Sequence, residues 1–188
     1  MTFILSGEGF ELEFRTPTAA EFAAYVDGIA NRDKRESAQR NLINACGGAA
    51  ALAVVDRWPA LLDSFSAEID DECSGNPEEL ALKPFEPVDG FTPTGDTSAL
   101  RLATVAGATW VLARPSGPVY EAFKSSVARG KIASGLEELV IDCVRHPGID
   151  AVKAAIAKTP GMISHLGGAL RELAGANMVV RKKKTPTS

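Results

Sequence analysis

The sequence predicts an α+β protein of two tandem related modules, each a β-hairpin followed by about four helices, joined by a Pro/Gly-rich linker. Three observations carry that expectation. The first is a repeat. A shift of 98 places Gly9 on Gly107, Leu12 on Trp110, Phe14 on Leu112 and Pro17 on Pro115, then Phe22 on Tyr120, Tyr25 on Phe123 and Ile29 on Val127. A shift of 97 places Leu42 on Leu139, Ile43 on Val140 and Cys46 on Cys143. A shift of 101 places Val55 on Ile156, Pro59 on Pro160, Leu62 on Ile163, Phe65 on Leu166 and Ile69 on Leu170. The shift changes only where loops would fall, which is where insertions are tolerated. The second observation is that each repeat opens on a hairpin signal. The third is that each continues in amphipathic segments punctuated by proline and glycine at matching places. Module 1 is expected over 1–76, a linker over 77–99, module 2 over 100–180 and a basic tail over 181–188.

Each element has a local reason. FILSGEGFELEF carries Gly-Glu-Gly between two apolar stretches and LRLATVAGATWVLA carries Ala-Gly at the matching place, both hairpin signals. In the first copy Phe10, Leu12 and Phe14 alternate with Glu11, Glu13 and Arg15, so one face is buried and the other wet. In the second, Ala108, Trp110 and Leu112 alternate with Thr109, Val111 and Ala113; apolar on both faces, that strand is expected to be covered by the other half or by another chain. Pro17 and Pro115 then end the strands, because proline keeps the preceding residue extended. Thr18-Ala-Ala-Glu21 is a capping box, and Ser116 is the expected cap of the second copy, with Pro118 tolerated in the first turn.

The first helix presents Phe22, Tyr25, Val26 and Ile29 at helical spacing, echoed by Tyr120, Phe123 and Val127. Arg32 to Glu36 reads as a solvated helix end or turn. The second helix carries Leu42, Ile43 and Cys46, and its twin Leu136, Leu139, Val140, Cys143 and Val144; Gly47-Gly48 and His146-Pro147-Gly148 stop them. Third helices are expected over 51–58 and 150–158. Fourth helices start at Pro59 and Pro160 and end near Gly75-Asn76 and Gly175-Ala176-Asn177. The segment 77–99, with four prolines and Gly90 and Gly95, reads as an extended linker with little structure of its own.

Composition bounds the function. With 188 residues, 45% of them hydrophobic, and a net charge of −4, the chain can build real cores and does not ask for nucleic acid or an anionic membrane as its main partner. The N-terminus lacks a basic region followed by a long apolar run, so no signal peptide is expected, and no window holds the eighteen or more apolar residues of a membrane span. Three cysteines without a close pair read as small buried residues in a reducing compartment. A soluble cytoplasmic protein is expected.

No stretch names a reaction. Cys143 and His146 invite a thiolate–imidazole pair, but His146 precedes a proline and Cys46 has no nearby histidine; cysteine on the same apolar stripe of both copies reads as core. Two histidines cannot supply a conventional zinc site. Asp70-Asp71-Glu72 lacks the glycine turn and further oxygens of a calcium loop. Gly7-Glu8-Gly9 is followed by neither GK(S/T) nor a helix, and Ser116-Gly117 and the segment Gly161 to Gly168 match no nucleophile elbow. The expectation is a non-enzyme with no cofactor and no metal. Candidate interface residues are Trp58 and Trp110, because aromatic side chains anchor interfaces, with core packing as the plainer reading of both. The other candidates are Arg181, Lys182, Lys183 and Lys184, which could touch nucleic acid or membrane or simply be a solvated terminus.

A resemblance adds to this. The strand pair, Pro-(Thr/Ser), the amphipathic helix with an early aromatic, Cys143-Val144-Arg145-His146-Pro147 and the fourth helix ending in Leu173-Ala174-Gly175-Ala176-Asn177 before a lysine-rich tail resemble small bacteriophage tail proteins. In particular the order is similar to that of tail assembly chaperones and related tail morphogenesis products. The resemblance covers most of the second half, and the first half through the repeat. It implies a non-enzymatic protein binding other tail proteins (the tape measure, tube or baseplate subunits) in the host bacterial cytoplasm, with homo-oligomers among its forms. Such proteins usually hold one module, so two modules leave open a structural component of the tail or baseplate, incorporated in the virion. A third reading is a small ligand-binding regulator or enzyme with a pocket between the modules. The chaperone reading predicts exposed apolar patches, the structural reading predicts hairpins with free edges, and the third predicts convergent polar groups in a cleft.

Overall fold

The alternation of apolar and charged residues after Gly9 does form a strand. A computed structural model of the chain describes residues 1–176, and in it β1 (Thr2–Gly7) pairs antiparallel with β2 (Phe10–Arg15), from Thr2 opposite Arg15 to Gly7 opposite Phe10. Phe3, Leu5, Phe10, Leu12 and Phe14 face the core of the first half, while Glu11 and Glu13 stay exposed. The expected capping box starts α1 (Ala19–Ile29): Glu21 N–H donates to Thr18 Oγ1 at 3.3 Å, and Thr18 N–H donates to Glu21 Oε2 at 2.8 Å. Arg15 grips the same carboxylate with two bonds of 2.8 and 2.6 Å.

α2 (Arg35–Arg57) differs from expectation. The two helices expected on either side of Gly47-Gly48 form one element, broken where Gly48 adopts φ 68° and ψ −167°, a backbone setting that glycine reaches without steric cost. α3 (Leu61–Ser74) begins two residues beyond Pro59 and ends at Gly75. Phe14, Phe22, Leu42, Ile43, Val55, Phe65 and Ile69 are the centre of the first core.

The expected free linker is a correction. Residues 77–99 hold a short helix α4 (Pro77–Leu80), started by Asn76, and a strand β3 (Lys83–Pro84) that pairs with residues 101 and 102 of the strand after it. Leu80 is 4% exposed and belongs to the core of the second half, with Leu82 packed against it. Proline and glycine content alone could not show that two leucines, spaced to fall on one side of an extended chain, would anchor the segment.

In the second half β4 (Leu100–Val105) pairs with β5 (Ala108–Ala113), Leu100 opposite Ala113 and Val105 opposite Ala108. The register is that of β1–β2 moved by 98 residues. Ala106 and Gly107, both at positive φ (50° and 78°), form its two-residue turn, the geometry that matches strand twist. α5 (Gly117–Ala128) has Ser116 at its cap position, but the hydroxyl makes no capping bond. After α6 (Ile132–Cys143) the chain forms β6 (Val144–His146), which pairs with β5 and which three residues before a proline did not announce. α7 (Ile149–Lys158) and α8 (Met162–Leu173) follow. The second sheet has the order β3-β4-β5-β6. Val111, on the face expected to need another half or another chain, is fully buried. On the same sheet, segment 86–89 lines a cleft with Leu102, Thr109 and His146, and Phe85 and Phe91 pack edge-to-face.

The fold is therefore α+β, with eight helices and two small sheets among the described residues. The two cores are separate clusters, yet the halves touch directly. α1 lies against α6 and α7, and α3 lies against α8. Ala133 N–H, in the first turn of α6, donates to Asp27 Oδ1 of α1 at 2.8 Å, an acceptor placed where a helix N-terminus favours negative charge. Gly161 N–H donates to Cys73 O at 2.8 Å. A Cβ at Gly161 would sit 2.7 Å from Ser74 Cα, so the halves meet backbone to backbone.

Candidate interaction surface

The residues singled out from sequence fall into three groups. Trp110 is 1% exposed in the second core, so its indole is not presented to a partner, and the plainer reading holds: it sits on the inner face of β5, where burial of a large ring is most favourable. Trp58 closes α2, is half-buried, and lies 4.4 Å beneath the Arg57 guanidinium and 6.1 Å from the Phe10 ring; it braces the first hairpin. Arg181, Lys182, Lys183 and Lys184 lie outside the described residues.

Among the described residues the candidate thiols are not activated. Burial pushes the Cys46 and Cys143 thiols up to about 11 and Cys73 up to about 12, opposite to what a nucleophilic thiolate needs. Asp70 is raised by burial and receives a bond from Ser74 Oγ. No group of three metal-capable side chains forms among the described residues. His146 stacks obliquely on Phe91 at 6.1 Å.

What the fold does present is an unpaired sheet edge beside an open groove. Backbone groups of an antiparallel strand alternate in direction. Across the two-residue turn Glu8-Gly9, the pairs Gly7–Phe10, Leu5–Leu12 and Phe3–Phe14 bond to each other, which leaves the N–H and C=O of Ile4 and Ser6 directed away from β2. The second hairpin shares this register, and its matching residue, Leu102, pairs with Lys83 of β3. Its other edge is taken by β6. In the first half, β2 is packed by α2, where a Cβ on Gly47 would stand 2.5 Å from the Phe14 ring. Among the described residues nothing pairs with the outer edge of β1.

That edge borders a groove of about 510 Å³ between β1 and α3. Leu5, Phe10, Leu61 and Phe65 supply its apolar lining, and Glu8 and Glu68 its charge. Ile4, 63% exposed, stands at the rim. Sequence reasoning passed over this site, although a signal was there: Phe3-Ile4-Leu5 breaks the alternation that β2 keeps, placing an apolar side chain on the wet face. A second, smaller groove of about 410 Å³ runs between α5 and α6 over Tyr120, Phe123, Val127, Ile132 and Leu136, with Arg171 stacked on Phe123 at 5.6 Å. Each groove lies within one half of the chain. No helix among the described residues is long and apolar enough to cross a membrane. Compared with protein families, with curated proteins and with solved structures, the chain matches none of them.

Proposed function

We propose that the chain is a non-enzymatic phage tail morphogenesis protein that works through protein–protein contacts, as a tail assembly chaperone binding the tape measure or another tail protein. The observation that carries this reading is the pair of open apolar grooves, one beside β1 and one between α5 and α6, with Ile4 and Val127 left at their rims. A chaperone for an aggregation-prone client needs apolar surface held open on a folded scaffold. The two halves are read as copies of one ancestral module, supported by the shared hairpin register and the matching order of helices.

A structural component of the tail or baseplate is the second reading, favoured by the free edge of β1, which could pair with a neighbouring subunit. One experiment separates the two. Peptide mass spectrometry on purified particles of the phage that encodes the chain, scaled against the tail-tube protein, is expected to find it absent from particles and abundant in infected-cell lysate. A fixed few copies per tail would establish the structural reading and end the chaperone one. Host cytoplasm is the expected site of action in the first case, and the virion tail in the second.

A further inference from the structure

The two halves of the molecule treat the same groove differently. In the second half, the strand edge of β4 and the side of α8 are bridged by the chain's own segment 77–84: Lys83 pairs with Leu102, and Leu80 is buried against α8. Moved by 98 residues, Leu102 falls on Ile4; moved by 101, His165 and Ala169 of α8 fall on Ser64 and Glu68 of α3. Ile4, Ser64 and Glu68 line the open groove of the first half. That groove is thus the place filled in the second half by segment 77–84, the turn of α4 followed by the extended residues up to β3, and left unfilled in the first half.

Charge says what kind of segment fits. Residues 1–76 carry thirteen aspartates and glutamates against six lysines and arginines, whereas residues 100–176 carry six against nine. Glu8 and Glu68 stand in the groove itself, and Glu68 replaces the small Ala169 that lets the linker lie close in the second half.

We propose that the outer edge of β1, over its groove with α3, binds an extended cationic segment of a second protein by strand addition. The added strand runs antiparallel to β1, as β3 does to β4. Its backbone bonds to the outward N–H and C=O of Ile4 and Ser6, an apolar side chain occupies the Leu80-like place over Phe10 and Phe65, and lysine or arginine meets Glu8 and Glu68. Backbone bonds supply affinity in this mode and the side-chain pockets supply selection. The inference rests on the partner-binding reading above and assigns that partner a chemistry.

The test uses the full chain and a labelled peptide of residues 76–86 carrying Glu78→Lys and Glu79→Lys, followed by fluorescence anisotropy. Saturable binding is expected, weakened as salt rises, with the unsubstituted peptide binding roughly ten-fold more weakly because its glutamates face like charges. In the protein, Ile4→Pro removes an outward N–H that the hairpin's own ladder does not use, so the fold persists, while peptide affinity falls by at least about ten-fold. Glu68→Lys, at an exposed helix position, independently weakens the cationic peptide and spares the unsubstituted one. Equal binding of both peptides, or binding that Ile4→Pro and Glu68→Lys leave unchanged, overturns the proposal. So does a concentration-dependent dimer of the chain alone that Ile4→Pro dissolves, since a second copy would then be the occupant. These readouts do not depend on particle composition, so the strand-addition site and the chaperone reading can fail separately.

Discussion

β1 and β4 stand at the same place in the two halves, with the same partner strand, turn length and register, yet Leu102 of β4 meets Lys83 while Ile4 of β1 meets nothing among the described residues. The difference lies outside the hairpins. A two-stranded hairpin is marginal by itself, and each half supports its own by another route. The second is widened into four strands, with an aliphatic core of Leu112, Leu139, Leu166 and Leu170 around Trp110. The first is held through one face by rings: Phe3 on Phe14 at 5.7 Å, Phe14 on Phe65 at 5.4 Å, Phe10 on Phe65 at 5.7 Å. Ring packing secures a face without consuming an edge. This is why the first half can be folded and still open to a strand at β1, whereas the matching edge of β4 is already taken by β3.

The strongest way to break this contrast is to remove the linker's anchor. Leu80→Ala empties a buried site in the second core and is expected to cost about 2–5 kcal/mol, measured by denaturant unfolding. Ile4→Ala, at the matching edge of the first half, is expected to stay within about 0.5 kcal/mol. If the two variants unfold alike, segment 77–84 is not part of the second module, and the comparison between filled and open grooves collapses.

A smaller effect tests how firmly the halves are joined. Gly161 approaches Ser74 so closely that a methyl group must push α8 away from α3, and Gly161→Ala is expected to destabilise by about 1–3 kcal/mol. Gly168 lies in the same helix with nothing within 4 Å of its missing Cβ, so Gly168→Ala should instead stabilise, by up to about 1 kcal/mol, through helix propensity. Opposite signs in thermal unfolding would locate the cost at the contact between halves. Two losses of similar size would place it in α8 itself.

Particular residues show how far the sequence could be read. The hairpins, the capping box at Thr18 and Glu21, and the stripes through Leu42 and Leu139 were legible because local rules of alternation, capping and helical spacing act within a few residues. The continuation of α2 past Gly48, the strand β6 and the anchoring of Leu80 were not, since each depends on a partner far along the chain. The open groove was hidden for the same reason. Phe10 and Phe65 are ordinary core candidates in sequence, and only the fold shows that Leu61, Glu68 and the edge of β1 come to one place with no strand between them.

The last contrast concerns the starts of α1 and α5, and its effect is the smallest. Thr18 caps α1 through its hydroxyl, and Ser116 at the matching place makes no such bond. Thr18→Ala is therefore expected to cost about 1 kcal/mol, and Ser116→Ala no more than a few tenths. Glu21 adds a pH signature. The bond from Arg15, assisted by those from Thr18, holds its carboxyl down from the ordinary 4.5 to about 2. A carboxyl whose value is lower in the folded state binds its proton more readily when unfolded, so it stabilises the fold above its unfolded value and loses that contribution as pH falls. The advantage of the native chain over Glu21→Gln should thus be level above about pH 4.5 and shrink between there and about pH 2. Because Arg15 and Glu21 are partly exposed, water and salt screen the pair, and the advantage should also fall as salt is added. A difference that ignores both pH and salt would mean that Glu21 serves the first module through packing alone. The unequal caps would then say nothing about why one hairpin needs a braced helix beside it and the other does not.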